Sequence, residues 1–255
     1  MGTYMITGAT GGIGKAVAEL LRDRGHDLIL TGRSPERLGT LTKALGSGAH
    51  AHTQVIIRDR DGAPGAVRTS TPERATIQTI ALDLGEPRRL EAALAETSMP
   101  DRLDGVIHSA GVVDLGPVAE QDADHWIDQL MVNLVSAAEL TRILLPALRA
   151  AKGHVVFVNS TAGLQANPNW SAYAASKFGL RALADSLRAE ETALQVTTVY
   201  PGRTATGMQQ KVRAQEGQPY NASDFADPTS VARGVLAAVE MPRDAVVSDI
   251  TIRPS

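Results

Sequence analysis

Tyr173 and Lys177 lie four residues apart in the run Ser171-Ala-Tyr-Ala-Ala-Ser-Lys-Phe-Gly179. On a helix that spacing puts both side chains on one face. A cationic amine beside a phenol favours the phenolate and would lower its pKa from about 10 toward neutrality. Tyr173 would then be a usable general acid/base at physiological pH. Taken alone, the spacing fits an exposed Tyr beside an exposed Lys better than a catalytic pair, so its meaning depends on its companions.

The second chemical signal is at the start of the chain. Thr7-Gly8-Ala9-Thr10-Gly11-Gly12-Ile13-Gly14 follows a strand-like run and opens a helical one. Gly8, Gly11, Gly12 and Gly14 permit a tight turn, and the backbone at Thr10 and Ile13 can approach a pyrophosphate. The helix N-terminus adds free N–H groups and a positive dipole end. The next strand ends Leu30-Thr31-Gly32-Arg33-Ser34, with no acidic residue to take a ribose hydroxyl. Arg33 and Ser34 instead suit the 2′-phosphate of NADP(H). Asp83, in Ala81-Leu82-Asp83-Leu84, could accept from an adenine amino group or cap a helix near Glu86-Pro87. Ser109, Ala110 and Gly111 are small enough to let a backbone pass beside a cofactor.

These groups need a scaffold, and the apolar pattern supplies one. Strand-like runs are Thr3–Thr7, Asp27–Thr31, Ile77–Leu82, Gly105–His108, His154–Asn159, Gln195–Tyr200 and Val246–Ile252. Helical patterns between them cover Ile13–Arg24, Pro35–Leu45, Pro87–Glu96, Asp122–Ala151, Trp170–Glu190 and Pro228–Glu240. This alternation predicts an α/β chain with a doubly wound, mostly parallel seven-stranded sheet of Rossmann type, helices on both faces. No linker interrupts it, so residues 1–255 are read as one domain. Two segments break the pattern. Within 46–74, Gln54–Arg58 and Ala66–Thr71 flank an Asp-, Gly- and Pro-rich stretch, which reads as a β-hairpin insertion or a solvated charged loop. The polar segment Gly207–Asp227 is a candidate lid.

Composition narrows the function. The 255 residues are 43% hydrophobic but only 4% aromatic, which predicts an aliphatic core of the kind that buries a parallel sheet. A net charge of -3 gives no reason to expect a nucleic-acid or membrane-surface partner. With no cysteine, disulfides and thiolate metal sites are excluded, and no metal is expected. No apolar run approaches the roughly 18 residues of a membrane span. Neither a leader-like start nor a lipidation signal at Met1-Gly2 is evident, so a cytoplasmic location is expected.

Together these motifs resemble the short-chain dehydrogenase/reductase family, in its compact single-domain branch, across essentially the whole chain. Thr7-Gly8 through Gly14 resembles the family's cofactor turn, and Asp83 its adenine-side Asp. His108-Ser109-Ala110-Gly111 stands where the family usually has Asn-Asn-Ala-Gly, so hydrogen bonding in the central sheet is expected to differ. Asn133 matches the active-site Asn, and Ser160 precedes Tyr173 by the family's usual thirteen residues. Pro201-Gly202 and Thr206 resemble the element that holds the nicotinamide end, with Thr204 where a small aliphatic residue is common.

The resemblance implies reversible hydride transfer between a nicotinamide C4 and a carbonyl or alcohol carbon. Tyr173 would exchange the proton and Ser160 would stabilise the oxygen. Lys177 would tune Tyr173 and bind the nicotinamide ribose, and Asn133 would hold a water linking Lys177 to solvent. It also implies a homodimer or homotetramer. Val112, Val113, Leu115, Leu164, Gln165, Trp170, Met208 and Tyr220 are expected to line an apolar pocket for a small carbonyl or alcohol substrate. The competing class is a non-catalytic NADP-sensing or scaffold protein on the same fold. It would need the glycine turn but not the set Asn133, Ser160, Tyr173 and Lys177.

Overall fold

The computed structural model describes residues 1–46, 51–53 and 75–255. Eight strands among them form one sheet: β1 (Thr3–Thr7), β2 (Asp27–Gly32), β3 (Ala51–Thr53), β4 (Ile77–Ala81), β5 (Gly105–His108), β6 (His154–Val158), β7 (Gln195–Pro201) and β8 (Asp249–Ile252). Their order is β3-β4-β2-β1-β5-β6-β7-β8, and every pairing is parallel. The seven expected strands are all present, and β3 adds an eighth at one edge. The expected hairpin strands, Gln54–Arg58 and Ala66–Thr71, lie outside the described residues.

Strands β1, β2, β5, β6 and β7 are buried on both faces, and their residues alternate between two layers. Tyr4 and Ile6 of β1, Ile107 of β5 and Val156 and Val158 of β6 face one layer. That layer is covered by α1 (Gly12–Asp23), α2 (Pro35–Leu45) and α8 (Pro228–Val239). Met5, Val106, Val155 and Phe157 face the other, where Leu90 of α3 (Leu90–Ala95), Leu140, Leu144 and Leu148 of α5 (Ser136–Ala151) and Leu180 and Leu187 of α6 (Ser171–Glu190) pack. Between them these layers account for the aliphatic composition.

The helical pattern over Asp122–Ala151 resolves into three pieces: α4 (Ala123–Leu130), a π turn at Met131–Val135, and α5. Asp122 caps α4 by accepting from His125 N. By length and composition alone Ala123–Ala151 is sufficient to cross a membrane, contrary to the reading of its apolar runs. In the fold, Leu140, Leu144 and Leu148 of this stretch are buried on the sheet. The segment Gly207–Asp227 is also more ordered than a loop. It forms α7 (Gly207–Gln215), capped by Thr206 Oγ1 accepting from Gln209 N, and a 3-10 turn at Ala222–Asp224. Its far end is tied back to the strand exit by Ala205 N to Ala226 O (2.8 Å) and Ala226 N to Arg203 O (3.1 Å).

Crossovers leave in opposite directions from β1 and β5, so the carboxyl ends of these neighbouring strands open a crevice at the topological switch point. The glycine turn, Ser109–Gly111, Ser160 and Pro201–Thr206 all follow strand ends on that side.

Candidate active site

Two cavities join along this crevice and share Ile13, Ser109, Ala110, Gly111, Thr206 and Met208. The nucleotide side has a volume of about 650 Å³ and the catalytic side about 550 Å³.

Gly8, Thr10, Gly11, Gly12, Ile13 and Gly14 line the nucleotide side, as do Arg33, Ser34 and Leu84. Gly8 adopts φ +62°, and a Cβ there would stand 2.7 Å from the Ala110 Cα, so the turn requires glycine. Gly11 is the N-cap of α1 and provides no side-chain cap, leaving the first-turn N–H groups facing the cavity without a side-chain acceptor. Thr7 Oγ1 accepts from both Ser109 N and Ala110 N at 3.1 Å, which fixes the strand ends around the turn. Ser109 Oγ is buried with no partner among the described residues, at the junction of the two cavities. An unfilled buried hydroxyl of this kind fits a site that accepts a polar cofactor.

The reading of the β2 exit missed one residue. Arg37 lines the same cavity beside Arg33, and its Nη2 donates to Thr10 O at 2.9 Å. Its place in the first turn of α2, just after the β2 exit, was visible in the sequence. Ser34 caps α2 by accepting from Arg37 N (3.2 Å). Asp83 stands beside Leu82, Leu84 and Gly85, which line the nucleotide side. It is exposed, its Oδ1 accepts from Gly85 N (2.9 Å), and it lines an adjoining groove.

On the catalytic side, Ser160, Tyr173, Lys177, Pro201, Gly202 and Thr204 converge. Ser160 caps the short turn Thr161–Gly163, its Oγ accepting from Ala162 N at 3.1 Å. That bond occupies an acceptor site and leaves the hydroxyl proton for Tyr173, to which Ser160 is hydrogen-bonded. Lys177 Nζ donates to Val158 O (3.2 Å) and stands 5.7 Å from the Tyr173 ring centroid.

The expected acidification of the phenol is not what this environment produces. Burial pushes the Tyr173 phenol up to about 12, opposed only by the Ser160 hydrogen bond. Burial also brings the Lys177 amine down to about 8. Desolvation disfavours both charged forms, so Tyr173 keeps its proton at neutral pH.

Asn133 is buried within the π turn and does not line either cavity. Its amide pairs with both backbone groups of Val112, accepting from N (2.8 Å) and donating to O (2.9 Å), and also donates to Ser176 Oγ (2.9 Å). Its side chain therefore anchors the segment after Gly111. The first family Asn is replaced by His108, which stacks on Phe157 (centroids 5.0 Å apart) and bonds through Nε2 to Thr141 Oγ1 (2.9 Å). Thr141 Oγ1 donates its own proton to Ala137 O, so it accepts from Nε2–H and fixes the tautomer.

The pocket wall is only partly the expected one. Val113, Trp170 and Met208 line the catalytic side, and Val112 lines the nucleotide side. Leu115, Leu164, Gln165 and Tyr220 line neither; Leu115 packs behind the wall and Tyr220 stacks on Phe225. Polar residues on α7 and the preceding turns, Asn167, Arg203, Gln209 and Glu216, take part instead.

The family model for short-chain dehydrogenases matches residues 3–69 and 49–217. This chain belongs to the short-chain dehydrogenase family. Dehydrogenase/reductase SDR family member 7B from Bos taurus is 31% identical over 96% of the chain and 73% of its own length. A short-chain dehydrogenase from Shigella flexneri, solved with NADP, is 25% identical with a TM-score of 0.76, covering 98% of this chain and 95% of that one. An alcohol dehydrogenase from Thermococcus sibiricus, complexed with 5-hydroxy-NADP, shares the fold at TM-score 0.78 and 20% identity, covering 99% and 96%. The Rossmann-type parallel sheet and the oxidoreductase class follow from membership of this family.

Proposed function

We propose that this short-chain dehydrogenase is an NADP(H)-dependent oxidoreductase interconverting a carbonyl and an alcohol on a small substrate. The observation that carries the reading is the convergence of Ser160, Tyr173 and Lys177 on one cavity, continuous with the glycine turn. The α1 N-terminus and Ser109 Oγ suit the cofactor's polar groups, and Arg33, Ser34 and Arg37 suit a 2′-phosphate. Bound NADPH would supply a hydride to the substrate carbon.

The chain's own residues manage the proton and the charge. Tyr173, neutral at physiological pH, gives its proton to the carbonyl oxygen as that oxygen becomes negative. When substrate binds, the Ser160 hydroxyl turns its one proton from Tyr173 to the same oxygen and becomes a second donor. Lys177, charged below about 8, places its ammonium where it stabilises the phenolate left behind. In the oxidative direction the same groups act in reverse. Asn133 positions the backbone of Val112 and so the edge of the cofactor channel. Exposed Ile127, Val135 and Phe178 on the outer faces of α4, the π turn and α6 support the expected homodimer or homotetramer.

The test is Tyr173→Phe. Turnover of NADPH with a carbonyl panel is expected to fall by about 10²–10⁴-fold, with the NADPH dissociation constant unchanged by fluorescence titration. Full activity in the purified variant would end the proposal.

A further inference from the structure

The catalytic cavity has a charged far end that the hydride chemistry does not use. Trp170 links the two ends. Its ring centroid is 5.7 Å from that of Tyr173, and the Arg203 guanidinium carbon stands 5.9 Å from it. Arg203 leaves the strand exit after β7 and pairs end-on with Glu216 at the close of α7, Nη2 to Oε1 at 2.6 Å and Nη1 to Oε2 at 2.8 Å. Arg213 also donates to Glu216 Oε2 (3.2 Å), so one carboxylate is shared by two guanidinium groups. Glu216 is thereby neutralised and the cluster keeps a net positive charge.

Arg203 retains free donors. Its end-on pairing uses Nη1 and Nη2, and Nε–H has no partner among the described residues. The Nε edge of a guanidinium is a bidentate match for a carboxylate. A second polar group on the same wall is also unfilled: Gln209 is 7% exposed and its Nε2 has no partner among the described residues. Among the side chains lining this cavity the charged ones are Lys177, Arg203 and Glu216, an excess of one cation. Lys211 is not part of the set, because it donates to Val113 O (2.8 Å), pairs with Asp114 (3.1 Å) and lines a separate groove.

We propose that the substrate carries a carboxylate, docked on Arg203, with its carbon chain against Trp170 and its carbonyl or hydroxyl at Tyr173. The substrate class is then a short oxo acid or hydroxy acid. This deepens the function proposed above and rests on it for the position of the reacting carbon. The carboxylate–guanidinium contact also discriminates, because an ester of the same skeleton cannot repeat its charge-assisted hydrogen bonds.

The experiment compares acetoacetate, pyruvate and levulinate with their methyl esters in NADPH oxidation. At least one acid is expected to exceed its ester in kcat/KM by about tenfold or more, a difference of about 1.4 kcal/mol. Arg203→Met is expected to remove that preference by raising KM for the acid by more than KM for the ester, and Arg203→Lys to restore part of it. Glu216→Gln, which removes the competing carboxylate, is expected to lower KM for the acid. Esters reduced as well as acids, or equal loss of acid and ester turnover in Arg203→Met, would overturn the proposal. So would matching acid-binding losses in Arg203→Met and Glu216→Gln, which would mark the ion pair as a purely structural clasp. Calorimetric titration of the NADP-loaded protein with each acid and ester separates the two ideas. Acid-selective binding lost in Arg203→Met, without turnover of any carbonyl compound, upholds the docking site and defeats the reductase reading. No binding of any acid defeats the docking site whatever the turnover.

Discussion

The two ends of the cleft are built on opposite principles. At the catalytic end Tyr173 and Lys177 are 6% and 3% exposed, held by a helix packed on the sheet. At the nucleotide rim Arg33, Arg37 and Asp83 stand in solvent at strand and helix ends. Burial moves the first pair's protonation equilibria in opposite directions, and each group has neighbours set by packing. The rim works by charge placement alone, in a medium where salt screens interactions beyond about 8 Å. If the proposed function holds, catalysis rests on desolvated groups, which cost stability, and nucleotide choice on surface charge, which costs little.

Lys177→Met tests this contrast most severely. Its folded-state pKa of about 8 lies below the ordinary 10.5, so below about pH 8 the fold carries the cost of burying a charge. That cost is relieved as pH rises from about 8 toward 10.5. The displacement corresponds to about 3 kcal/mol, part of it offset by the lost bond to Val158 O. Turnover is expected to drop by roughly 10²–10⁴-fold while the melting temperature of the ligand-free protein at pH 7 rises. A lower melting temperature would show that Lys177 is stabilising, and the contrast between the two ends would break.

At the rim, Arg33→Asp is expected to shift the NADPH/NADH ratio of kcat/KM toward NADH by about 10–100-fold, in line with one or two charge-assisted hydrogen bonds. Melting temperature should stay the same, since the side chain is exposed. The proposed NADPH preference should also weaken with added salt, whereas a Tyr173 effect should not. An unchanged ratio in steady-state assays would remove Arg33 from cofactor selection.

His108 provides the smallest and purely structural test. Burial holds its pKa down at about 3, and His154 behaves alike at about 4. Because the unfolded chain binds protons near 6.5, this stability is complete above that pH and is lost as pH falls toward 3. Each group contributes a slope of at most about 1.4 kcal/mol per pH unit within its window. His108→Asn is expected to flatten the fall in melting temperature between pH 6.5 and 4 without removing it, since His154 remains. An identical profile in the variant would show that His108 is not the source.

Much of this was legible from local pattern. The alternation of strand and helix followed from apolar runs, because a strand buried on both faces cannot hide its composition. The i,i+4 relation of Tyr173 and Lys177 survived intact because helix geometry is local. The glycine turn likewise requires Gly8 at a positive φ against Ala110. Less was legible where meaning depended on a distant partner. Asn133 holds both backbone groups of Val112, and Asp83 lines a groove adjoining the nucleotide side. Leu164, Gln165 and Tyr220 were nearby in sequence to true wall residues yet face elsewhere. The polar stretch after Thr206 became a helix because Thr206 caps it and Val212 is buried, signals that its low apolar content masked.

By itself, then, the amino-acid sequence determined which groups exist and which lie on a common turn or face, since these follow from backbone periodicity over a few residues. The tertiary structure alone decided their chemistry. Protonation of Tyr173 and Lys177 depends on how completely water is excluded, which is a property of the packed whole. The meeting of Arg203, Glu216 and Trp170 likewise joins a strand exit, a helix end and the start of α6, and no local rule brings three such segments to one wall.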